Sequence, residues 1–145
     1  MESGEKQSDR DPIEALVEHM SEGWNRGDAE QFAARFAADG GFTNVLGMVY
    51  YSRAAFKERH DAVFKTIYKA SKSKLAITKL RFVRPDVAIA DIDAEMSGFS
   101  MLPSGVRAGP DDVMRSKLQM VFVKDRESWW ITAYANVGVT PLPPN

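Results

Sequence analysis

VAIADIDAEMS, at residues 87–97, alternates apolar and polar side chains with the period of two that is typical of a β-strand. The later segment MRSKLQMVFVK, at residues 114–124, alternates in the same way. Each segment carries a row of charged or polar residues on one face: Asp91, Asp93 and Glu95 on the first, and Arg115, Lys117 and Gln119 on the second. Antiparallel pairing of these strands therefore predicts a cross-strand ion-pair ladder on the exposed face. The opposite faces are apolar and are expected to pack against helices: Ile92, Ala94, Met96, Leu118, Met120 and Phe122.

Outward from this pair, further β-rich segments lie at residues 74–83 and 129–139, so we expect two hairpins joined by a long loop. Helical patterns dominate the first half of the chain. The resulting order, ααββαββββ, is an α+β layout in which three helices cover one face of a curved, mostly antiparallel sheet. Such a sheet leaves a conical pocket beneath the helices. We predict one domain over residues 11–140, with flexible tails at residues 1–10 and 141–145.

The first two helices are predicted from capping signals. Asp11, followed by proline, is the expected N-cap of a helix that ends near residues 25–27. Asp28 is expected to cap a second helix, which carries Phe36 on its apolar face and stops at the Gly-Gly pair of residues 40–41.

A short hairpin is expected next, with strands at residues 42–45 and 48–51. Ser52 is then placed to cap a third helix. One stripe of that helix is apolar apart from a single histidine: Phe56, His60, Val63, Phe64 and Ile67.

The composition excludes several classes of function. The chain has 145 residues, a formal net charge of −1 and no long basic run, so a nucleic-acid-binding groove is not expected. It has no cysteine, which excludes thiolate catalysis, thiolate zinc sites and disulfides. Residues 1–10 lack the apolar core of a signal peptide, and no segment has the apolar length of a membrane span. A cytoplasmic protein is therefore expected.

Three segments together resemble the SgcJ/EcaC family, in the SnoaL-like group of the nuclear transport factor 2-like superfamily: TNVLG at residues 43–47, FVRPDVA at 82–88 and WITAYAN at 130–136. The resemblance implies a cone-shaped, cystatin-like α+β barrel that is dimeric through its outer sheet face and has an apolar pocket at the open end. Members resembling SgcJ accompany enediyne polyketide antibiotic biosynthesis in actinomycetes. Related folds include isomerases, cyclases, dehydratases and purely binding proteins, so the fold alone does not decide the function.

The chain has two histidines. His60 lies within the apolar stripe of the third helix. An imidazole there is either a core residue, paired with a backbone carbonyl or with Asn44, or a ligand-contacting general acid or base. His19 lies off the apolar face of the first helix and is expected to be solvated.

Polar residues in otherwise apolar strands are the other candidates. Asn44 and Asn136 each either orient a ligand group or serve a turn and a strand end. Tyr50, Tyr51 and Tyr134 either donate hydrogen bonds to a developing oxyanion or pack with the hydroxyl toward water. With His60 as the candidate catalytic residue, the predicted ligand-contacting set is Trp24, Asn44, Tyr50, Phe64, Tyr134 and Asn136.

No metal site and no cofactor are expected. A phosphate-binding loop and a dinucleotide fingerprint are both missing from the sequence, and the three acidic residues of the 87–97 segment are interpreted as ion-pair partners. The loop at residues 98–112 is long for a compact domain. We expect it to flank the pocket mouth as a lid or to join a dimer contact.

Two functional hypotheses follow. In the first, the protein binds a small, hydrophobic, polyketide-like ligand. It then either holds a polyene intermediate or acts as a metal-free, non-redox isomerase or cyclase with His60 as acid or base. In the second, it is a noncatalytic dimeric scaffold that binds a partner biosynthetic enzyme. A cone filled by large helix residues favours the scaffold, and a remaining cavity favours the ligand.

Overall fold

A computed structural model describes residues 7–140. These residues form helices and strands in the predicted order ααββαββββ. The elements are α1 (Gln7–Arg26), α2 (Ala29–Ala33), β1 (Phe36–Thr43), β2 (Val49–Tyr51), α3 (Arg53–Phe64), β3 (Lys72–Arg84), β4 (Val87–Ser97), β5 (Met114–Asp125) and β6 (Ser128–Gly138). Most of the predicted tails, residues 1–6 and 141–145, lies outside the described residues, whereas residues 7–10 belong to α1.

The strands form one curved sheet in the order β2-β1-β6-β5-β4-β3, whose only parallel pair is β1 with β6. In the antiparallel pair of β4 and β5, Asp93 lies opposite Lys117 and Glu95 lies opposite Arg115. Lys117 Nζ is 2.6 Å from Asp93 Oδ1, and Arg115 Nε is 3.1 Å from Glu95 Oε2. The predicted ladder is therefore confirmed.

The inner face of the sheet and the helices share one hydrophobic core. Burying a large apolar side chain contributes about 1.5–3 kcal/mol, so this layer supplies the main stabilisation of the fold. The predicted apolar faces of α1, β4 and β5 lie within it, except that Met96 is buried outside this core. Their most deeply buried side chains are Ile13, Met20, Ile92, Leu118, Met120 and Phe122.

The start of α1 differs from the prediction. The helix begins at Gln7, so Asp11 is inside it and is not its N-cap. Gln7 Nε2 donates to Asp11 Oδ1 at 2.7 Å and to Glu14 Oε1 at 3.1 Å, which engages the aspartate within the helix. Pro12 lies inside the helix on its exposed side, where water can solvate the carbonyl that lacks a partner N–H. A proline is therefore compatible with an early helical turn as well as with the first position.

The second helix is shorter than predicted. Asp28 caps α2, as expected, by accepting a backbone N–H, but the chain leaves the helix and enters β1 at Phe36. Phe36 pairs with Ile131 of β6. The Gly-Gly pair lies inside β1 rather than at a helix end. A Cβ on Gly40 would come within 2.8 Å of Phe36 Cε2 and 3.0 Å of the Ile131 carbonyl oxygen. Gly40 therefore permits close packing within the sheet.

The hairpin and the third helix agree better with the sequence. β1 and β2 pair antiparallel, and the Ser52 hydroxyl accepts a hydrogen bond from Ala55 N at 3.2 Å to cap α3. α3 ends at Phe64, so Ile67 lies beyond it. The long loop at residues 98–112 connects β4 to β5, as predicted.

Candidate functional site

A cavity of about 90 Å³ lies between the inner face of the sheet and the helices. Its walls are mostly apolar and include Phe32, Phe42 and Leu118. Several of the predicted site residues line it: Trp24, Asn44, His60, Tyr134 and Asn136. The structure therefore brings these five predicted residues together around one cavity.

His60 is buried, with 5% of its surface exposed. Its Nδ1 lies 2.8 Å from the Phe56 carbonyl oxygen. A carbonyl only accepts, so Nδ1 carries the proton and Nε2 has a free lone pair. No residue of the described chain forms a hydrogen bond with Nε2. His60 is therefore both the backbone-paired core residue and a lining residue with one acceptor left for a ligand.

Aromatic rings determine the electrostatics of His60. The ring centroids of Phe56, Phe32 and Phe42 lie 4.4, 4.6 and 5.3 Å from the imidazole centroid. Burial among them lowers the pKa of His60 to about 4, although the Phe56 hydrogen bond opposes the shift, and the positive charge of Arg59 adds to it. The imidazole is neutral near pH 7 and acts there as a hydrogen-bond acceptor.

Tyr134 and Asn136 project from the same face of β6 into the cavity. Burial raises the pKa of Tyr134, so its phenol stays protonated and can donate. Asn136 Oδ1 is fully buried and has no hydrogen-bond partner among residues 7–140. Asn136 does not end its strand, because β6 continues to Gly138. Of the two sequence interpretations, the strand-end interpretation is therefore wrong for this residue.

Asn44 serves the turn between β1 and β2. Its Oδ1 accepts from Leu46 N and Met48 N, each at 2.9 Å, which holds the hairpin closed. The turn interpretation of Asn44 is confirmed. Its side chain also borders the cavity, so the amide NH₂ is the group that remains for a ligand.

Trp24 forms one wall of the cavity and cannot donate to a ligand. Its Nε1 donates to Ser71 Oγ at 2.9 Å, and Ser71 Oγ donates to the Tyr68 carbonyl at 2.7 Å. The indole contacts the rings of Phe32 and Tyr68, each 5.5 Å away between centroids. Trp24 therefore contributes apolar surface in a fixed orientation.

Tyr50 and Phe64 do not line the cavity. Phe64 packs edge-on behind Trp24, with centroids 4.9 Å apart. Tyr50 lies 6.2 Å from the ring of Phe42, and its hydroxyl is 3.9 Å from Met48 Sδ. Both residues therefore pack against residues of the cavity wall and do not line the cavity themselves. Phe64 is the last residue of α3, and Tyr50 belongs to β2, the edge strand of the sheet.

Sequence reasoning missed several lining residues, of which Arg59, Tyr68, Ser116 and Pro103 matter most. Ser116 could have been found, because it alternates with Leu118 on the inner face of β5. Arg59 and Tyr68 carried no signal, because a charged residue beside His60 and a tyrosine after the helix are usual on a surface. Pro103 belongs to the loop at residues 98–112, which therefore reaches the cavity.

The chemistry available at this site is limited. No aspartate or glutamate lines the cavity within the described chain. Residues 7–140 also contain no group of three or more histidines or carboxylates placed to hold a metal ion. In the same range, no helix is long and apolar enough to cross a membrane. The described lining can therefore bind by apolar contact, by directed hydrogen bonds and through the charge of Arg59, and it offers His60 as a neutral base.

Solved structures with this architecture have cystatin-like folds. An uncharacterised protein from Caulobacter vibrioides is 27% identical over 92% of both chains, with a TM-score of 0.78. A protein of unknown function from Nostoc punctiforme is 25% identical over 94% of this chain and 81% of its own, with a TM-score of 0.80. The predicted cystatin-like, nuclear transport factor 2-like α+β fold is confirmed.

A ketosteroid isomerase-like protein from Erwinia carotovora atroseptica has a TM-score of 0.70 at 18% identity, over 90% of this chain and 95% of its own. At that identity the similarity concerns the fold alone. No protein-family model matches the chain, and no curated protein matches it. The architecture is thus one that isomerase-like proteins share.

Acid should weaken the fold through His60. Its pKa is about 4 in the folded chain against 6.5 when solvated, so the unfolded chain takes up a proton first as the pH falls. Stability from this group is complete above about pH 6.5 and is lost toward pH 4, by about 3 kcal/mol. Denaturant unfolding from pH 7.5 to 4 should show this loss in the wild type relative to His60→Gln.

The exposed His19 provides the control. His19→Gln should follow the wild-type pH curve, because that residue is solvated as predicted. Parallel curves for the wild type and His60→Gln would contradict a buried, neutral imidazole.

Proposed function

We propose that this protein binds a small, largely apolar molecule in the cavity, in the cytoplasm, and holds it as an intermediate of polyketide biosynthesis of the enediyne type. The observation that carries the proposal is an apolar cavity that retains unsatisfied polar atoms. Asn136 Oδ1 is buried without a partner, and His60 Nε2 has a free lone pair. Such a combination is typical of small-molecule sites.

The unpartnered oxygen has an energetic consequence. A buried polar atom without a hydrogen bond costs about 1–3 kcal/mol, and native proteins pair nearly all such atoms. A hydroxyl or amide N–H of a ligand would remove that cost at Asn136. The cavity therefore favours an apolar molecule with at least one hydrogen-bond donor.

The size of the cavity indicates how a ligand would lie. At about 90 Å³ it is smaller than the ~300–1,000 Å³ of typical ligand clefts. A polyene would place one end inside and extend toward the loop at residues 98–112. That loop is held at its start by Ser100 N, which donates to the Ile67 carbonyl at 3.0 Å, and Pro103 reaches the cavity. The contact of Pro103 with the cavity supports the role of this loop as a lid.

The polyketide assignment rests on the SgcJ/EcaC resemblance, and two of the three resembling segments lie at the cavity. Residues 43–47 form the turn that Asn44 holds, and residues 130–136 supply Tyr134 and Asn136. The third segment, residues 82–88, forms the turn between β3 and β4. Two of the three segments that carry the resemblance therefore contribute residues to the cavity.

Holding is better supported than catalysis. A general base works best with a pKa near the working pH, and that of His60 is about 4. No carboxylate lines the cavity in the described chain to serve as an alternative acid or base. An isomerase or cyclase would depend on His60 alone.

The cavity itself is tested by filling it. Ala94 lines the cavity on β4, so Ala94→Phe should place a ring in the space and weaken binding at least tenfold. We expect the neutral fluorescent probe N-phenyl-1-naphthylamine to bind the wild type at one site per chain. Ala76→Phe, the same change at an exposed position of β3, should bind as the wild type does. Equal binding by all three proteins, or by none, would contradict the proposal.

The holding role is tested in a strain that lacks the protein. Its metabolites should differ from those of the parent strain by loss of a polyketide product. His60→Gln should restore at least half of the product, whereas Ala94→Phe should restore little. A His60→Gln protein that folds and binds but restores no product would instead make His60 a catalytic residue.

We also propose that the protein forms a homodimer through its outer sheet face. The ladder of β4 and β5 presents acidic and basic rows side by side, so two copies related by a two-fold axis can oppose unlike charges. Val137, 64% exposed, lies in a groove on this face beside Asp93 and Lys117. This surface is also where a partner enzyme of the scaffold hypothesis would bind.

The oligomeric state should respond to a charge in that groove. We expect sedimentation to show a wild-type dimer that Val137→Asp converts to a monomer. Val83→Asp, at another exposed valine on β3, should remain dimeric. A monomeric wild type would contradict the proposed interface.

A further inference from the structure

Arg59 gives the cavity a positive charge. It lies near the middle of α3, directly before His60 in the sequence. Its side chain is half-buried and lines the cavity. Its Cζ lies 5.9 Å from the centroid of the Tyr50 ring, a distance at which a guanidinium is attracted to an aromatic face. Tyr50, which does not reach the cavity, thereby helps to position a residue that does.

No carboxylate neutralises this charge within the described chain. Of the two acidic residues of α3, Asp61 pairs with Lys65, with Oδ2 2.9 Å from Nζ, and Glu58 forms no ion pair with Arg59 in the described chain. No ion pair is formed by Arg59 among residues 7–140, and the lining of the cavity includes no acidic residue. A half-buried cation without a counter-charge is unusual, because desolvation of a charge is costly unless it is paired.

The phenol of Tyr68 is a second hydrogen-bond donor near the guanidinium. Tyr68 lines the same cavity, and burial raises the pKa of its phenol, against the opposing effect of the Arg59 charge. The same charge acts on His60. Arg59 therefore lies within electrostatic range of both residues, and this end of the cavity combines a cation with a phenolic O–H.

The other polar groups of the lining suit an anion less well. Asn136 Oδ1 is an acceptor without a partner among the described residues, and the lone pair of His60 Nε2 would repel an anion. Arg59, the charged residue of this lining, is therefore the group that suits a carboxylate. A planar guanidinium matches a carboxylate with two parallel hydrogen bonds, and its single charge balances that of one carboxylate.

We propose that the ligand of this cavity is an apolar acid, whose carboxylate pairs with Arg59 while its unsaturated body lies against Trp24 and Leu118. This inference rests on the proposed function and specifies its ligand class. The carboxylate of the ligand then contacts a cation, and its unsaturated body contacts apolar side chains.

Two probes of the same shape and different charge test the inference. trans-Cinnamate and its neutral amide, trans-cinnamamide, are titrated into the protein at pH 7.5, with binding followed by NMR chemical shifts. We expect the wild type to bind the acid at least tenfold more tightly than the amide. Arg59→Met should lose this preference and bind the acid no more tightly than the amide. Arg59→Lys, which keeps the charge without the planar fork, should retain part of the preference.

A matched control and the neutral amide separate the outcomes. Arg81→Met removes the same charge from an exposed position of β3 and should behave as the wild type does. If the wild type binds acid and amide equally and Arg59→Met changes nothing, the inference fails while the proposed binding function stands. If the wild type binds neither the amide nor the neutral probe, the proposed function itself fails.

Discussion

The register between β4 and β5 is the constraint on which the rest of the molecule depends. It sets Asp93 opposite Lys117 on the outer face and Ile92 opposite Leu118 on the inner face. Because side chains alternate, a slip of one residue would turn the charged row into the core and the apolar row into water. The same register brings Ala94 beside Ser116 at the cavity. The cavity is therefore a product of the strand pairing that stabilises the sheet.

The residues around the cavity have two opposite effects on the stability of the fold. The aromatic cluster around His60 stabilises the core by burial, and the same burial holds the imidazole in its neutral form. At the other wall Asn136 keeps a buried oxygen without a partner, which reduces stability in the absence of a ligand. A protein selected for stability alone would place an apolar residue there. Under the proposed function, a hydrogen-bond donor on the ligand would offset this loss of stability.

Much of this arrangement was predictable because alternation is a strong local signal. The four long strands, the charge ladder and the inward position of His60 all followed from residue spacing. The errors have a common physical origin in tertiary contacts. Phe36 looks helical by spacing but pairs with β6, and Gly40 after it permits close packing and does not end a helix. The local sequence pattern does not show which distant strand will pair with a given segment.

The site was predictable in part for the same reason. His60, Asn44 and Asn136 were found because polar residues interrupt apolar patterns there. Arg59 was missed because a charged residue on a helix normally faces water, and only the packed structure shows that its side chain borders the cavity. Tyr50 and Phe64 have the right chemistry but lie behind the wall. Whether these two side chains reach the cavity depends on the residues at which β2 and α3 end. The sequence predicts those end residues only to within a few positions.

Binding of a ligand in the cavity is tested most directly by mass spectrometry of small molecules released from the protein after purification from cells that make it naturally. We expect one unsaturated, apolar compound per chain, carrying a carboxylate, which is lost from the Ala94→Phe protein. Recovery of no compound from the wild type, or of the same compound from both proteins, would contradict this expectation.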